Sequence, residues 1–242
     1  AVANCLLGTL SDHDRRRLVR HLNLLRLASS SGHIDLVSDL LSLVDDPMEI
    51  GASLREAAES GHIAVVNQLI VDGRCDQDAN SEALAAAAQS GHCNIVKFLM
   101  ANTSADPSWN LQYSLRWAAA LGFTAIIDLL LIPSVDPSMD DNITLKWAVM
   151  QGRLAAAERL LHEGRVLEQI RARGGVISFA DQLPERTRKR FLELWRRLRE
   201  ERRQALLVAS VLEQARVPCY EMIAMMAYGS AFRQCGNASP LA

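Results

Sequence analysis

The sequence predicts an all-α fold, a solenoid of about five helix-turn-helix repeats with a C-terminal helical cap or subdomain. The tripeptide Ser-Gly-His occurs three times, and two degenerate copies follow it. Five glycines mark the copies and lie 29, 30, 31 and 30 residues apart: Gly32, Gly61, Gly91, Gly122 and Gly152. A near-constant period in this range indicates a stacked repeat array. The period is lost after residue 164, which indicates a different C-terminal region.

Three further positions hold one residue type in all five copies. Leucine stands seven residues before each glycine, alanine four before it, and leucine eight after it. The members are Leu25, Leu54, Leu84, Leu115 and Leu145; Ala28, Ala57, Ala87, Ala118 and Ala148; and Leu40, Leu69, Leu99, Leu130 and Leu160. These columns predict the core of the stack.

Each copy is predicted to form two helices joined at the glycine. In the second copy Leu54 and Ala57 are three residues apart and share one helix face. Gly61 then ends the helix, because glycine adopts the left-handed conformation without steric cost. Val66 and Leu69 lie on the apolar stripe of the second helix. One hairpin cannot bury its own apolar face, so the copies must stack.

The pattern Leu-x-x-Ala-Ala-x-x-Gly-His-x-x-(Val/Ile)-Val-x-x-Leu-Leu resembles the ankyrin repeat over residues 17–166. The Thr-Pro-Leu-His opening of that family is missing, and the period is about three residues shorter than the usual 33. Both departures affect the finger, the segment between one helix pair and the next. The resemblance implies a concave surface formed by the fingers and by the inner helices, the first helix of each pair.

We therefore divide the chain into three predicted regions. Residues 1–16 form an N-terminal capping segment, because an open stack needs a polar terminal face; the arginines that follow leave a basic contact site open as an alternative. The ankyrin-like region, 17–166, holds repeats at about 17–45, 46–75, 76–105, 106–135 and 136–166. Residues 167–242 form a helical, partly basic region.

Composition is that of a globular protein with ample core material, since 49% of the 242 residues are hydrophobic and the net charge is −2. No run of 18 apolar residues predicts a transmembrane segment. The chain begins with Ala1 rather than Met, which favours a piece of a longer protein. Five cysteines without metal-site spacing favour a reducing, intracellular location. That location is the cytoplasm, or the host cytosol if the protein is a secreted effector.

The charges divide the chain in two. Residues 1–162 carry 12 Lys and Arg against 19 Asp and Glu, whereas residues 163–242 carry 14 against 9. In the fingers, aspartates stand 30 residues apart: Asp46, Asp76, Asp106 and Asp136. Each is expected to form a turn or a helix cap. Together they predict a negative edge that favours a basic partner.

Two tryptophans, Trp117 and Trp147, occupy equivalent positions and are predicted to pack in the core between repeats. Trp109 follows Asp-Pro-Ser in a finger, where it either packs against the next finger or serves as an interface anchor. Cys93 shares its column with Ile34 and is predicted to be a buried small hydrophobe.

Catalytic chemistry is not predicted. His33, His62 and His92 occur once per repeat, so stacking would separate them by about 10 Å, too far to share one metal ion. The resemblance implies that they tie the inter-helix turns. The sequence lacks a Gly-rich phosphate loop, a Ser-centred elbow and a His-Glu-x-x-His motif. We therefore expect no enzyme activity, no cofactor and no metal site.

The C-terminal region contains a long amphipathic helix, rich in arginine between Arg186 and Arg203. Three roles stay open: a cap on the stack, a surface for nucleic acid or anionic membrane, and a helical subdomain of a longer protein. Interleaved glutamates weaken the second role.

The predicted function is a protein-interaction scaffold. By the resemblance, contacts come from residues just before each glycine and from the fingers: Glu59, Ser60, Gln89, Ser90, Leu121, Met150 and Gln151, and Asp76, Asp78, Trp109, Tyr113, Asp140, Asp141 and Asn142. The alternative is a substrate-recruiting or regulatory module of a longer effector-type protein. Short, degenerate repeats of this kind are similar to those of intracellular bacterial effectors and giant-virus or amoebal ankyrin proteins.

Overall fold

The computed structural model describes Ser11, Val19 and residues 22–214, with the backbone alone for Leu111 and residues 208–214. Apart from Ser11, the predicted capping segment 1–16 lies outside the described residues. The described part is all helical: α1 (Leu24–Ser30), α2 (Ile34–Leu41), α3 (Pro47–Ser60), α4 (Ile63–Asp72), α5 (Gln77–Ser90), α6 (Cys93–Asn102), α7 (Trp109–Leu121), α8 (Thr124–Leu130), α9 (Met139–Met150), α10 (Leu154–Leu161), α11 (Gly164–Ala172), α12 (Gly175–Asp181) and α13 (Glu185–Gln214).

The helices α1 to α10 form the five predicted pairs. Each inner helix packs against the next inner helix, and each outer helix against the next outer helix. The predicted leucine and alanine columns are buried in every repeat. Full burial of a leucine side chain contributes about 1.5–3 kcal/mol, so these columns are a major source of the stability of the stack. The predicted solenoid of five repeats is confirmed.

Each turn within a pair contains the expected left-handed glycine. Gly61 has φ 85°, and its N–H bonds to the Ala57 carbonyl at the end of α3. The segments between pairs are short loops, at 42–46, 73–76, 103–108 and 131–138, and none of them contains a strand. The fingers are therefore short, and each inner helix begins directly after one.

A shorter sixth helix pair follows the repeats. Helix α11 packs against both α9 and α10, and against α12. Its apolar side chains Val166 and Ile170 are buried. Gly174, with φ 94°, forms the turn into α12. Because α11 begins at Gly164, it starts inside the predicted fifth repeat; the region boundary at residues 166 and 167 stays a prediction.

The chain divides near Thr187 into two compact units. The described part of the second unit is α13 from Arg188 onward. Phe191, Leu194 and Leu198 recur at helical spacing and are buried. Most of the basic side chains of this helix are exposed.

Candidate protein-binding surface

His62 and His92 connect each repeat to the one before it. The Nε2 atom of His62 lies 3.0 Å from the Ser30 carbonyl oxygen, and that of His92 lies 3.0 Å from the Glu59 carbonyl oxygen. A carbonyl oxygen can only accept, so each Nε2 carries the proton and donates it. Each ring therefore bonds to the end of the inner helix of the preceding repeat, and both roles are structural. The histidines that were expected to stabilise the turns thus also connect neighbouring repeats.

In repeats 4 and 5 other side chains take the place of histidine. The Phe123 ring covers Gly91, and the Arg153 stem covers Gly122. A Cβ atom added at these glycines would lie 2.8 Å from Phe123 Cζ and 3.1 Å from Arg153 Cδ. The glycine column is thus needed for close contact between repeats, and not only for the turn.

The four finger aspartates form turns and caps, as the sequence predicts. Asp46 and Asp76 each accept a hydrogen bond from a backbone N–H in the first turn of the helix that follows, at 3.0 and 2.8 Å. Asp106 and Asp136 each accept from the backbone N–H and from the hydroxyl of the serine two residues later. These bonds fix the direction in which each inner helix starts.

Most of the predicted finger contacts lie in inner helices rather than in loops. Asp76 is the helix cap of α5, and it is exposed. Asp78 is exposed in the first turn of α5, and Trp109 is the partly buried first residue of α7. The loop position expected for Trp109 is therefore wrong, because α7 starts directly after the Asp-Pro-Ser turn.

The contacts predicted just before the glycines form the ends of the inner helices. Glu59, Ser60, Gln89, Met150 and Gln151 are exposed there. Ser90 and Leu121 are partly exposed. All seven positions are thus accessible to a partner.

The first turn of α9 has an unusual backbone. Asp140, Asp141 and Asn142 have φ values of 51°, 58° and 57°, in the left-handed region. Such a conformation costs a residue other than glycine about 1–2 kcal/mol, and Asp and Asn adopt it most readily. Arg116 Nη2 lies 2.9 Å from Asp140 Oδ2, and Lys146 Nζ lies 2.8 Å from Asp141 Oδ2. These ion pairs help to hold the turn.

Asn142 does not belong to the exposed set. Only 1% of its surface is accessible, and its Oδ1 atom has no hydrogen-bond partner among the described residues. The left-handed turn directs this side chain inward. Its predicted role as a direct contact is therefore contradicted by its burial, whereas Asp140, two residues before it, is exposed.

A second set of ion pairs joins the arginines six residues before the glycines of repeats 1 and 2 to glutamates of repeat 2. Arg26 Nη2 lies 2.7 Å from Glu56 Oε1, across the repeat boundary. Arg55 pairs with the same Glu56 oxygen at 2.9 Å and with Glu59 at 3.2 Å. In repeat 3 the position equivalent to Arg26 and Arg55 holds Ala85, so no such ion pair can form there.

The inner helices of repeats 4 and 5 carry a row of three aromatic rings, which we call the aromatic row: Tyr113, Trp117 and Trp147. The Tyr113 and Trp117 centroids are 5.9 Å apart, and those of Trp117 and Trp147 are 5.8 Å apart, both edge to face. The Arg116 guanidinium lies 6.0 Å from the centroid of the Trp147 ring. All three rings are partly exposed. The two tryptophans pack between repeats as predicted, but they lie at the edge of the core and not within it.

Two contacts predicted from the sequence lie on the same face as the aromatic row. Leu121 follows Trp117 by four residues, and Met150 follows Trp147 by three, which are neighbouring positions on a helix. Met150 is 50% exposed. The buried Trp117 Nε1 atom has no hydrogen-bond acceptor among the described residues.

The sequence contained a signal for this exposure. The column of Trp117 and Trp147 also holds Glu56 and Leu27. A glutamate is seldom fully buried, and Leu27 is 62% exposed. Ala86, the member of this column in repeat 3, is buried, so the column lies at the edge of the core, and the two tryptophans in it are partly exposed.

The column of Cys93 is also more exposed than expected. Ile34 and Ile63, its members in repeats 1 and 2, are exposed, and Cys93 is partly exposed. These residues are the first of their outer helices, and their side chains lie outside the buried apolar stripe. The prediction of a buried Cys93 is wrong.

Cys75 lies in the finger between repeats 2 and 3. Burial of this thiol, together with the nearby carboxylates of Asp72 and Asp76, raises its pKa from 9.0 to about 11. The neighbouring Arg74 donates to the Leu41 carbonyl at the end of α2, at 3.0 Å, and to the Val44 carbonyl in the preceding finger, and so connects the two fingers. A thiol in this state is a poor nucleophile at neutral pH.

Helix pairs with a left-handed glycine turn, stacked at a 30-residue period, define a helical repeat protein. Comparison with known families agrees: the family described as Ankyrin repeats (3 copies) matches residues 25–109 and, in an overlapping match, residues 54–141. Residues 25–141 of the chain are therefore ankyrin repeats. A comparison with curated proteins returned no match.

Ankyrin repeats are in general modules of protein–protein interaction and typically non-catalytic. Among the helices of the described residues, none is both long and apolar enough to cross a membrane.

Proposed function

We propose that this chain is a non-catalytic scaffold whose inner-helix face in repeats 4 and 5 binds a protein partner. The aromatic row carries the proposal. Trp and Tyr are enriched at the energetic centres of protein interfaces, because a large ring excludes water at a low entropy cost. Here three such rings adjoin the exposed Met150.

The charges around the aromatic row support a partner with basic side chains beside an apolar anchor. Arg116 and Lys146 are each paired with an aspartate. Asp140 nevertheless keeps 58% of its side chain exposed, and Glu82 on the neighbouring inner helix is exposed too. The rim around the row therefore presents carboxylates, which favour approach of a positively charged surface.

The test compares two exposed positions by quantitative affinity purification from cell lysate. Met150→Glu puts a charge at the edge of the aromatic row, whereas Val71→Glu puts the same charge at the exposed end of outer helix α4. We expect Met150→Glu to lose partners that the wild type and Val71→Glu retain. The conservative variant Met150→Leu should retain them as well. Identical partner lists for all four proteins would contradict the proposed face.

A further inference from the structure

Five of the cations of α13 share one side of the helix, although charges of both signs are mixed along the sequence. At about 100° per residue, five cations fall within one sector of roughly 100°, which we call the basic face: Arg188, Lys189, Arg196, Arg199 and Arg203. Glu193 and Glu200 lie outside one border of this sector, and Glu201 lies on the far side; Glu185 lies within the sector, at the N-terminal end of the helix. Because Glu193, Glu200 and Glu201 lie outside the sector, they oppose binding of an anionic surface less than their positions in the sequence suggest.

Four of these cations are available to a ligand. Lys189, Arg196, Arg199 and Arg203 are exposed, and among the described residues none has a carboxylate within 4 Å. By contrast, Arg197 on the other side of the helix lies 3.9 Å from Glu201. Among the described residues of α13, four exposed cations without an ion pair therefore lie on the basic face, along about 21 Å of helix axis, and two, Arg186 and Arg190, lie outside it.

Apolar side chains accompany the basic face. Leu206 and Leu207 follow Arg203 at the two borders of the sector, and they are 71% and 58% exposed. Leu192 lies within the sector and is partly exposed. A phosphate backbone gains nothing from exposed leucines, whereas the boundary between lipid headgroups and acyl chains accepts them.

We propose that the basic face of α13 binds the anionic surface of a lipid membrane. The helix lies in the plane of the interface, its cations contact the headgroups, and Leu206 and Leu207 enter the acyl boundary. This site is separate from the inner-helix face proposed to bind a protein, and either can fail without the other. Each cation at an anionic surface strengthens binding roughly fivefold at physiological ionic strength.

The test uses the whole chain and two double variants with the same spacing and the same charge change. Arg196→Glu/Arg203→Glu alters the basic face, and Arg190→Glu/Arg197→Glu alters the opposite side. Binding is measured by sedimentation with vesicles of phosphatidylcholine alone, or with about one third phosphatidylserine. We expect binding only to the anionic vesicles, reduced about 25-fold or more by the first variant and clearly less by the second. Matching circular dichroism spectra and melting curves show that both variants are folded.

A third variant separates lipid from nucleic acid. Leu206→Ser/Leu207→Ser should weaken vesicle binding while it leaves the charge unchanged. No sedimentation with anionic vesicles at low salt would overturn the proposal, and so would equal losses in the two arginine variants. Tight binding of duplex RNA or DNA that the leucine variant does not weaken, with weaker binding of vesicles, would identify a nucleic-acid surface instead.

Discussion

The indole rings of Trp117 and Trp147 meet edge to face across the boundary between repeats 4 and 5, with centroids 5.8 Å apart and planes at 81°. Such a pair contributes about 0.5–1.5 kcal/mol beyond its buried area. We therefore expect Trp117→Leu and Trp147→Leu to show a coupling free energy of about 1 kcal/mol in a double-mutant cycle, measured by urea denaturation.

Trp109 provides the control for this cycle, since it is a partly buried tryptophan at the start of α7, eight residues before Trp117. Trp109→Leu combined with Trp147→Leu should be additive within about 0.5 kcal/mol. Equal coupling in both cycles would mean that the effect reflects general loosening of the repeats and not the ring pair.

The glycine turns should be sensitive to contact with the next repeat. At Gly61, with φ 85°, an added Cβ atom would lie 2.6 Å from His92 Cε1, whereas at Gly73, with φ 79°, the nearest atom is 4.0 Å away. Both replacements by alanine should lower the free energy of unfolding by about 1–2 kcal/mol for the left-handed backbone. Gly61→Ala should be the more destabilising, because His92 must also move.

A third variant isolates that second contribution. In a His92→Ala background the neighbouring ring is gone, so Gly61→Ala and Gly73→Ala should have nearly equal effects. His92→Ala alone should cost about 1 kcal/mol for the lost hydrogen bond to the Glu59 carbonyl. A difference between the glycine variants that persists without His92 would contradict the packing explanation.

The start of α7 offers a test of the left-handed finger backbone. Asn110 is exposed and has φ 48°. Asn110→Gly should be close to neutral, whereas Asn110→Ala should cost about 1 kcal/mol, since alanine is strained in this conformation. Thermal unfolding measures both. If alanine is tolerated as well as glycine, the first turn of α7 is an ordinary helix.

The repeated positions could be predicted from the sequence because five copies place the same constraint on the same residue. Leu54 and Ala57 recur in every repeat, and both are buried. The partial exposure of Trp117 could not be predicted in the same way, because its size and apolarity suggested a core residue. Its exposure depends on the neighbouring side chains, and only Glu56 in the same column pointed to solvent.

The finger of repeat 5 could not have been predicted in detail. Asp140 and Asn142 are residue types that tolerate a left-handed backbone, but they are equally common in ordinary caps. Their outcome depends on Arg116, which is 24 residues from Asp140 in the sequence and belongs to the preceding repeat. Arg116 pairs with Asp140 across the repeat boundary, whereas Asn142, two residues later, is buried.

The thiol of Cys75 should be protected from alkylation in the folded protein. Burial and the carboxylates of Asp72 and Asp76 raise its pKa from 9.0 to about 11, so the folded state holds less of the reactive thiolate below pH 9. The two-unit shift predicts reaction with iodoacetamide roughly 100-fold slower than in the urea-unfolded chain at pH 8. Mass spectrometry of the peptide that contains Cys75 measures both rates.

The pH dependence gives the sign of this effect. Because the raised pKa favours the protonated thiol in the folded state, the rate should keep rising between pH 9 and about 11, where the unfolded chain has already levelled off. Asp72→Asn removes a carboxylate that raises the pKa, and should therefore speed alkylation at pH 8. Equal rates in the folded and unfolded chains at pH 8 would show that the finger does not shield Cys75.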